Sequence, residues 1–258
     1  RFFLLQLGDI DARDAQQLHE LSDGWVAGLQ LLAVARKHGR GKSSAKAQQT
    51  APVHDASAFA SYFEHEVLAK LSPAELNLLI NASVCNRVCA SLCAALIEQP
   101  EATAQTLQLL TRLEADNLFI TPMDSGERET WWRLHPLLRE TLTERLNRRS
   151  AAYRQQVHHA AWTWFDAHGQ LEEAVHHAVL AGEADAAAAR VERYAQTLTE
   201  GGDMRKLIGL VRMLPSAQIQ HRHQLRLWML RVDLYARKFE RCAQGIAQLQ
   251  ADLPPGDS

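Results

Sequence analysis

The sequence predicts a mainly α chain with one short β-hairpin, and three observations carry that reading. Apolar residues recur at three- and four-residue spacing through most of the chain, the signature of one-sided helices. Two runs, LFITPM and TWWRLH, break that spacing with Phe, Ile, Thr and Trp around DSGERE, whose glycine and charges suit a solvent-exposed hairpin tip. After Tyr153 every segment reads as helix or turn. The turn candidates AHGQLEEA (167–174), EGGDMRKL (200–207) and ARKFERCA (236–243) recur at intervals close to the ~34 residues of a tetratricopeptide-type repeat.

From the start, Leu21, Trp25, Leu29 and Leu32 lay one stripe along a helix over Leu21 to His38, with Ser22 or Asp23 as its cap. Gly24 and Gly28 lie four apart on that helix, open to close approach by a backbone or a flat ring. KHGRGKSSAKAQQTAPVHDAS has no apolar period and reads as a connector, with a boundary over 41–56. Phe59, Tyr62, Phe63, Val67 and Leu71 form the next stripe. Ser72-Pro73 then supplies a cap and a first-turn proline for a helix through Ala82. CASLCAALI is a short third helix, and Thr103 to Ala115 a fourth, with Leu107, Leu110 and Leu113 facing one way. The hairpin follows, then a helix from Pro136 to Arg149 with Leu138, Leu142 and Leu146 on one side. Helices followed by a β-hairpin and a closing helix are the order of a winged-helix domain. A tetratricopeptide-like array of helical hairpins follows it.

The totals narrow the function. At 258 residues there is room for two or three packed units. Lys and Arg number 28 against 30 Asp and Glu, a net charge of -2, so no general basic field draws the chain to nucleic acid or anionic lipid. No apolar run approaches the ~18 residues of a membrane span, and the expectation is a cytoplasmic protein without a membrane partner. Four cysteines do not make a secreted disulfide framework, so reduced thiols are expected. Arg1 at the start and PPGDS at the end lead us to expect a piece of a longer protein.

Several motifs lose to blander readings. Gly41-Lys42-Ser43 has the tail of a phosphate loop, but the position that needs the first glycine is Arg36 and the lead-in is helical. Cys85, Cys89 and Cys93 lack a fourth ligand and read as small apolar fillers, so no metal is expected. His158-His159 and His176-His177 point about 100° apart within each pair. Each pair can therefore offer one ring to a shared site, and surface or groove histidines are the expectation. The candidate recognition helix and its lead-in carry Glu101, Arg112, Glu114 and Asp116, and the wing tip Asp124, Glu127, Arg128 and Glu129. Both are net acidic, which argues against direct phosphate contact. No nucleophile–base pair or paired-carboxylate site is present in the sequence, so this stretch is not expected to be an enzyme. His135 is the residue that stands out: it sits at a strand-to-helix seam, where backbone N–H groups point outward and anions bind. The alternative is that it caps the helix or packs beneath Trp131 and Trp132.

LSDGWVAGLQLLA, FEHEVLAKLSPAELNLLINASV, LLTRLEADNLFITPMD, WWRLHPLLRE and FDAHGQLEEAVHHAVLAGE, in this order, resemble the middle of the large ATP-binding regulators of the LuxR family. These are STAND signal-transduction ATPases of the maltose-regulon-activator type. The resemblance covers about residues 20 to 245. It implies the end of a nucleotide-binding and helical domain at 1–40, a linker at 41–56, a winged helix at 57–149, and a helical arm with the first sensor repeats at 150–258. The phosphate loop and a DNA-reading helix-turn-helix would lie outside this stretch, in a parent that is a slow regulatory ATPase.

The resemblance also implies roles. In the wider class a winged-helix histidine contacts the β-phosphate of ADP and holds the resting monomer, and His135 stands at the matching place. One such charge-assisted bond, about 1.5 to 3 kcal/mol, shifts a two-state equilibrium roughly ten- to a hundredfold. Gly24-Trp25-Val26 corresponds to a motif that meets adenine in related ATPases, with Val26 where the family usually has proline. The expected cofactors are therefore ADP and ATP in the parent, with none held by this stretch alone. The expected partners are a small-molecule or protein inducer on the helical repeats and further copies of the activated parent. DNA is met only through the C-terminal domain. The rival reading is a helical-repeat protein-interaction scaffold with a structural winged helix.

Overall fold

The structure, a computed structural model, describes residues 68–116, 119–123 and 129–252. The helix expected over Leu21–His38, the connector at 41–56 and the stripe through Phe59, Tyr62, Phe63 and Val67 lie outside these residues. The chain divides into two compact units, Arg1–Arg149 and Ser150–Ser258. Its class is the mainly α one expected: a winged helix with one short hairpin, followed by a helical-repeat array.

In the first unit, α1 (Pro73–Ala82) opens with a complete capping box. The Ser72 hydroxyl accepts the Glu75 N–H while the Glu75 carboxylate accepts the Ser72 N–H at 2.8 Å. α2 (Ala90–Leu96) packs against it, and α3 (Thr103–Ala115) packs against α2. The apolar face of α3 differs from the expected one, because Leu107 is 45% exposed while Thr106, Leu110 and Leu113 are buried. Steps of four and three residues hold one face of a 3.6-residue helix, whereas two steps of three drift off it. Thr106 can take the inner place because its hydroxyl donates to the Ala102 carbonyl at 3.0 Å.

β1 (Ile120–Met123) and β2 (Trp131–Leu134) form the antiparallel wing in the register Ile120↔Leu134 through Met123↔Trp131. Trp132 is bonded on its other side to Val88, N–H to carbonyl in both directions at 2.8 and 2.9 Å. Its backbone groups therefore point away from Pro122, its partner in β1, and the proline's missing N–H is not needed. Trp132 and Leu134 face the core, and the Trp132 indole donates to Glu114 at 2.7 Å. Trp131, on the opposite face, is covered by the Arg87 guanidinium 4.1 Å from its ring centre. α4 (Pro136–Asn147) closes the unit with Leu138, Leu142 and Leu146 buried as expected. It ends two residues before Arg149, since Ser150 turns extended (ψ 153°) to cap the following helix through the Tyr153 N–H.

The second unit is helical throughout: α5 (Ala151–Ala167), α6 (Leu171–Leu180), α7 (Ala184–Glu200), α8 (Met204–Met213), α9 (Ser216–His221), α10 (His223–Tyr235) and α11 (Phe239–Asp252). α6, α8 and α11 begin at Leu171, Met204 and Phe239, within the three turns that the sequence marks. One turn chemistry recurs. The residue at positive φ is Gly169, Gly182, Gly202 or Arg237, and the N–H after it reaches back five residues, to the Phe165, Ala178, Leu198 and Asp233 carbonyls at 2.8–2.9 Å. Small residues let the helices approach: Ala178, Ala187, Ala188 and Ala195 join Val175, Val191, Leu207 and Leu210 in one buried cluster.

Two outcomes test this description. Arg237 holds a left-handed conformation (φ 57°) where three equivalent turns use glycine, so Arg237→Gly should raise stability by about 1 kcal/mol in urea unfolding. Cys85, Cys89 and Cys93 are buried and Cys242 is not. Burial pushes the Cys89 thiol up to about 11. Iodoacetamide at neutral pH should therefore label Cys242 first, and the other three only on unfolding.

Candidate functional site at the strand-to-helix junction

The junction between β2 and α4 is built by backbone pairing on one side and a cap on the other. Pro136 at the first helical position has no N–H and a φ already suited to the helix. The next orphan donor is the Leu137 N–H, and the His135 imidazole accepts it through Nδ1 at 3.3 Å. The His135 N–H in turn donates to the Phe119 carbonyl at 2.8 Å, extending the wing pairing by one residue. Phe119 has positive φ (61°), and its ring meets the imidazole edge-on with centroids 5.9 Å apart.

This geometry selects a tautomer. A ring nitrogen that accepts a hydrogen bond carries no proton, so the neutral His135 ring bears its hydrogen on Nε2. The ring is partly exposed, and Phe119 is one aromatic neighbour. The capping half of the structural expectation holds. Phe119 supplies an edge-on aromatic contact beside the ring.

Beside the junction runs a groove of about 610 Å3, bordered by Arg133, Arg139, Glu140 and Glu144. Arg139 is anchored there, donating to the Ser83 carbonyl at 2.9 Å and to Asn86 at 2.7 Å. Among the described residues, three charges of α3 and the wing make internal contacts. Arg112 pairs with Glu75, Glu114 accepts the Trp132 indole, and Ser91 donates to both oxygens of Glu129 at 2.8 and 3.1 Å. Gly24, Trp25 and Val26, the residues expected at adenine, lie outside the described residues, as do Gly41-Lys42-Ser43 and Asp124 to Arg128.

Of the four paired histidines, His159 and His176 are exposed and His158 half-buried, in line with the surface and groove expectation, and His177 departs from it. His177 is buried at 3% exposure rather than placed on the surface, and its Nδ1 lies 2.9 Å from that of His158. His159 pairs with Glu183, which also accepts the Trp162 indole at 3.0 Å. No sequence signal marks the His158–His177 contact: residues 158 and 177 lie 11 and 8 positions from the turn at Gly169, and only the register of the folded helices brings them side by side. Among the described residues no group of three or more His, Cys, Asp or Glu side chains is arranged to hold a metal, and no helix is long and apolar enough to cross a membrane.

Comparison with known proteins places these features. Residues 64–154 match the MalT winged helix domain. Over 221 residues, 83% of this chain and 18% of the relative, the chain is 30% identical to the serine/threonine-protein kinase PknK of Mycobacterium tuberculosis. It is 31% identical to the HTH-type transcriptional regulator MalT of Klebsiella pneumoniae, across 68% of this chain and 19% of that protein. With MalT of Yersinia pestis the identity is again 31%, across 71% and 20%. The chain spans about a fifth of the length of these curated relatives. Residues 64–154 therefore belong to the MalT winged helix domain family, and the chain around them is MalT-like.

Proposed function

We propose that this chain is the central regulatory region of an ATP/ADP-switched bacterial transcription regulator. In this reading the winged helix, over about 57–149, gates the nucleotide state, and the helical repeats from 150 onward receive a small-molecule or protein inducer. DNA binding belongs to a C-terminal helix-turn-helix of the parent, and slow ATP turnover to its nucleotide-binding domain. This region performs neither. Activation opens the parent and lets it self-associate.

The observation that carries the proposal is His135 at the seam of a MalT-type winged helix, with Nδ1 committed to the Leu137 N–H. A ring so held has a proton on its other nitrogen, and that N–H suits a diphosphate oxygen. A contact made in only one arrangement of the parent biases its two-state equilibrium by the energy of that contact. The internal pairing of Arg112, Glu114 and Glu129 supports a gating role over a DNA-reading one, since phosphate contact rests on available Lys and Arg. Resemblance of one stretch both to HTH-type regulators and to a serine/threonine-protein kinase supports a switch-and-sensor module that serves different outputs. The same breadth favours, as a second reading, a helical-repeat scaffold for protein partners with a structural winged helix.

Calorimetric titration of the full-length parent separates the two. His135→Asn keeps an N-cap acceptor while removing the imidazole. It should weaken ADP binding by roughly ten- to a hundredfold, about 1.5 to 3 kcal/mol, with the melting temperature little changed. Unchanged ADP affinity and an unchanged resting monomer would overturn the gating role and leave the scaffold reading.

A further inference from the structure

α5 and α6 form an antiparallel hairpin, and one ring from each adjacent histidine pair meets across it. His158 and His177 face each other Nδ1 to Nδ1 at 2.9 Å, with ring centroids 5.2 Å apart and planes tilted by 31°. His177 lies flat on Phe165, at 6° between planes and 5.4 Å between centroids, and both are buried. The His176 ring stands edge-on to His177.

Two nitrogens at this separation need one donor and one acceptor. A neutral pair satisfies that, and so does a pair with one extra proton, because the donating ring can carry the added hydrogen on Nε2. With both rings doubly protonated, two N–H groups and two positive charges face each other and no acceptor remains. The surroundings tolerate one charge more readily than two. The charges that act on His158 are His176 on α6 and Arg154, one turn earlier on α5, both positive when protonated. Glu173 precedes His177 by one turn on α6, where an ionised carboxylate favours a single proton on the pair. Among the described residues, Glu183 is engaged with His159 and Trp162, and Asp166 of α5 with Arg190 of α7.

We propose that the His158–His177 contact is an acid-sensitive clasp on the α5/α6 hairpin, closed while at least one Nδ1 is bare and opened when both rings are protonated. Burial first, then His176 and Arg154, pull His158 down to about 4 from the ordinary histidine value of 6.5. A base held below its ordinary value makes the open form the better proton acceptor. The clasp is thus at full strength above about pH 6.5 and weakens progressively as pH falls toward 4. The pair titrates as a unit, so the transition belongs to both rings.

Amide hydrogen exchange of the full chain, corrected for intrinsic rates, reads this directly. Between pH 7.5 and pH 5, peptides from α5 and α6 should lose protection by about tenfold or more, while those from α2 and α4 serve as the internal reference. In His158→Gln that pH dependence should shrink to less than about threefold. Retained protection in the unmodified chain at pH 5, or the same pH dependence in His158→Gln, would overturn the clasp. Imidazole 15N spectra of the unmodified chain give a second readout that needs no variant. His158 still neutral at pH 5.5 supports the proposal, and titration near 6.5 refutes it.

Discussion

The winged helix closes around a single residue that completes two different backbone patterns. At the seam between β2 and α4 the chain passes from sheet pairing to helix pairing, and both leave polar groups without partners. His135 serves both sides, its N–H extending the wing to Phe119 and its Nδ1 accepting the first available N–H of α4. Capping and ligand contact would ordinarily compete as explanations for a histidine. Here the cap engages Nδ1, so it orients the ring and leaves the proton of the neutral form on Nε2, the nitrogen that the proposed phosphate contact would use.

The remaining polar groups of the first unit are arranged in the same spirit. Arg139 ties α4 to the end of α1 through the Ser83 carbonyl, Asn81 donates across to the Leu96 carbonyl at 2.9 Å, and Glu114 receives the indole of Trp132. Among the described residues, Arg112 pairs with Glu75 and Glu129 accepts from Ser91. In the second unit, repeated five-residue turns and alanine-rich contacts stack helical hairpins, while ion pairs such as Arg222–Glu192 and Arg226–Asp252 join neighbouring helices.

Local chemistry made much of this legible in advance. Ser72-Pro73 with Glu75 marks the start of α1, the composition of LFITPM and TWWRLH marks both strands, and the three turn motifs fall where the hairpins reverse. Features that depend on partners distant in sequence were not legible. Val88 joins the sheet through a single residue pair, too short to leave a periodic trace. Thr106 is a local exception: it replaces Leu107 on the buried face, against the leucine spacing, because a hydroxyl can satisfy itself within its own helix. The His158–His177 contact required the register of two helices, and adjacency within each pair said only that one ring of each was available. At the candidate site, residue identity at the seam singled out His135, but the nitrogen that caps and an aromatic neighbour, Phe119, emerged only with the fold.

The central claim concerns one proton. Long-range 15N–1H spectra that resolve the His135 ring distinguish its nitrogens near neutral pH, first in this chain and then in the full-length parent on addition of ADP. The account predicts an unprotonated, hydrogen-bonded Nδ1, a protonated Nε2, and an ADP-dependent shift confined chiefly to Nε2. A ring protonated at Nδ1 and bare at Nε2, or one whose Nε2 ignores the nucleotide, would contradict it.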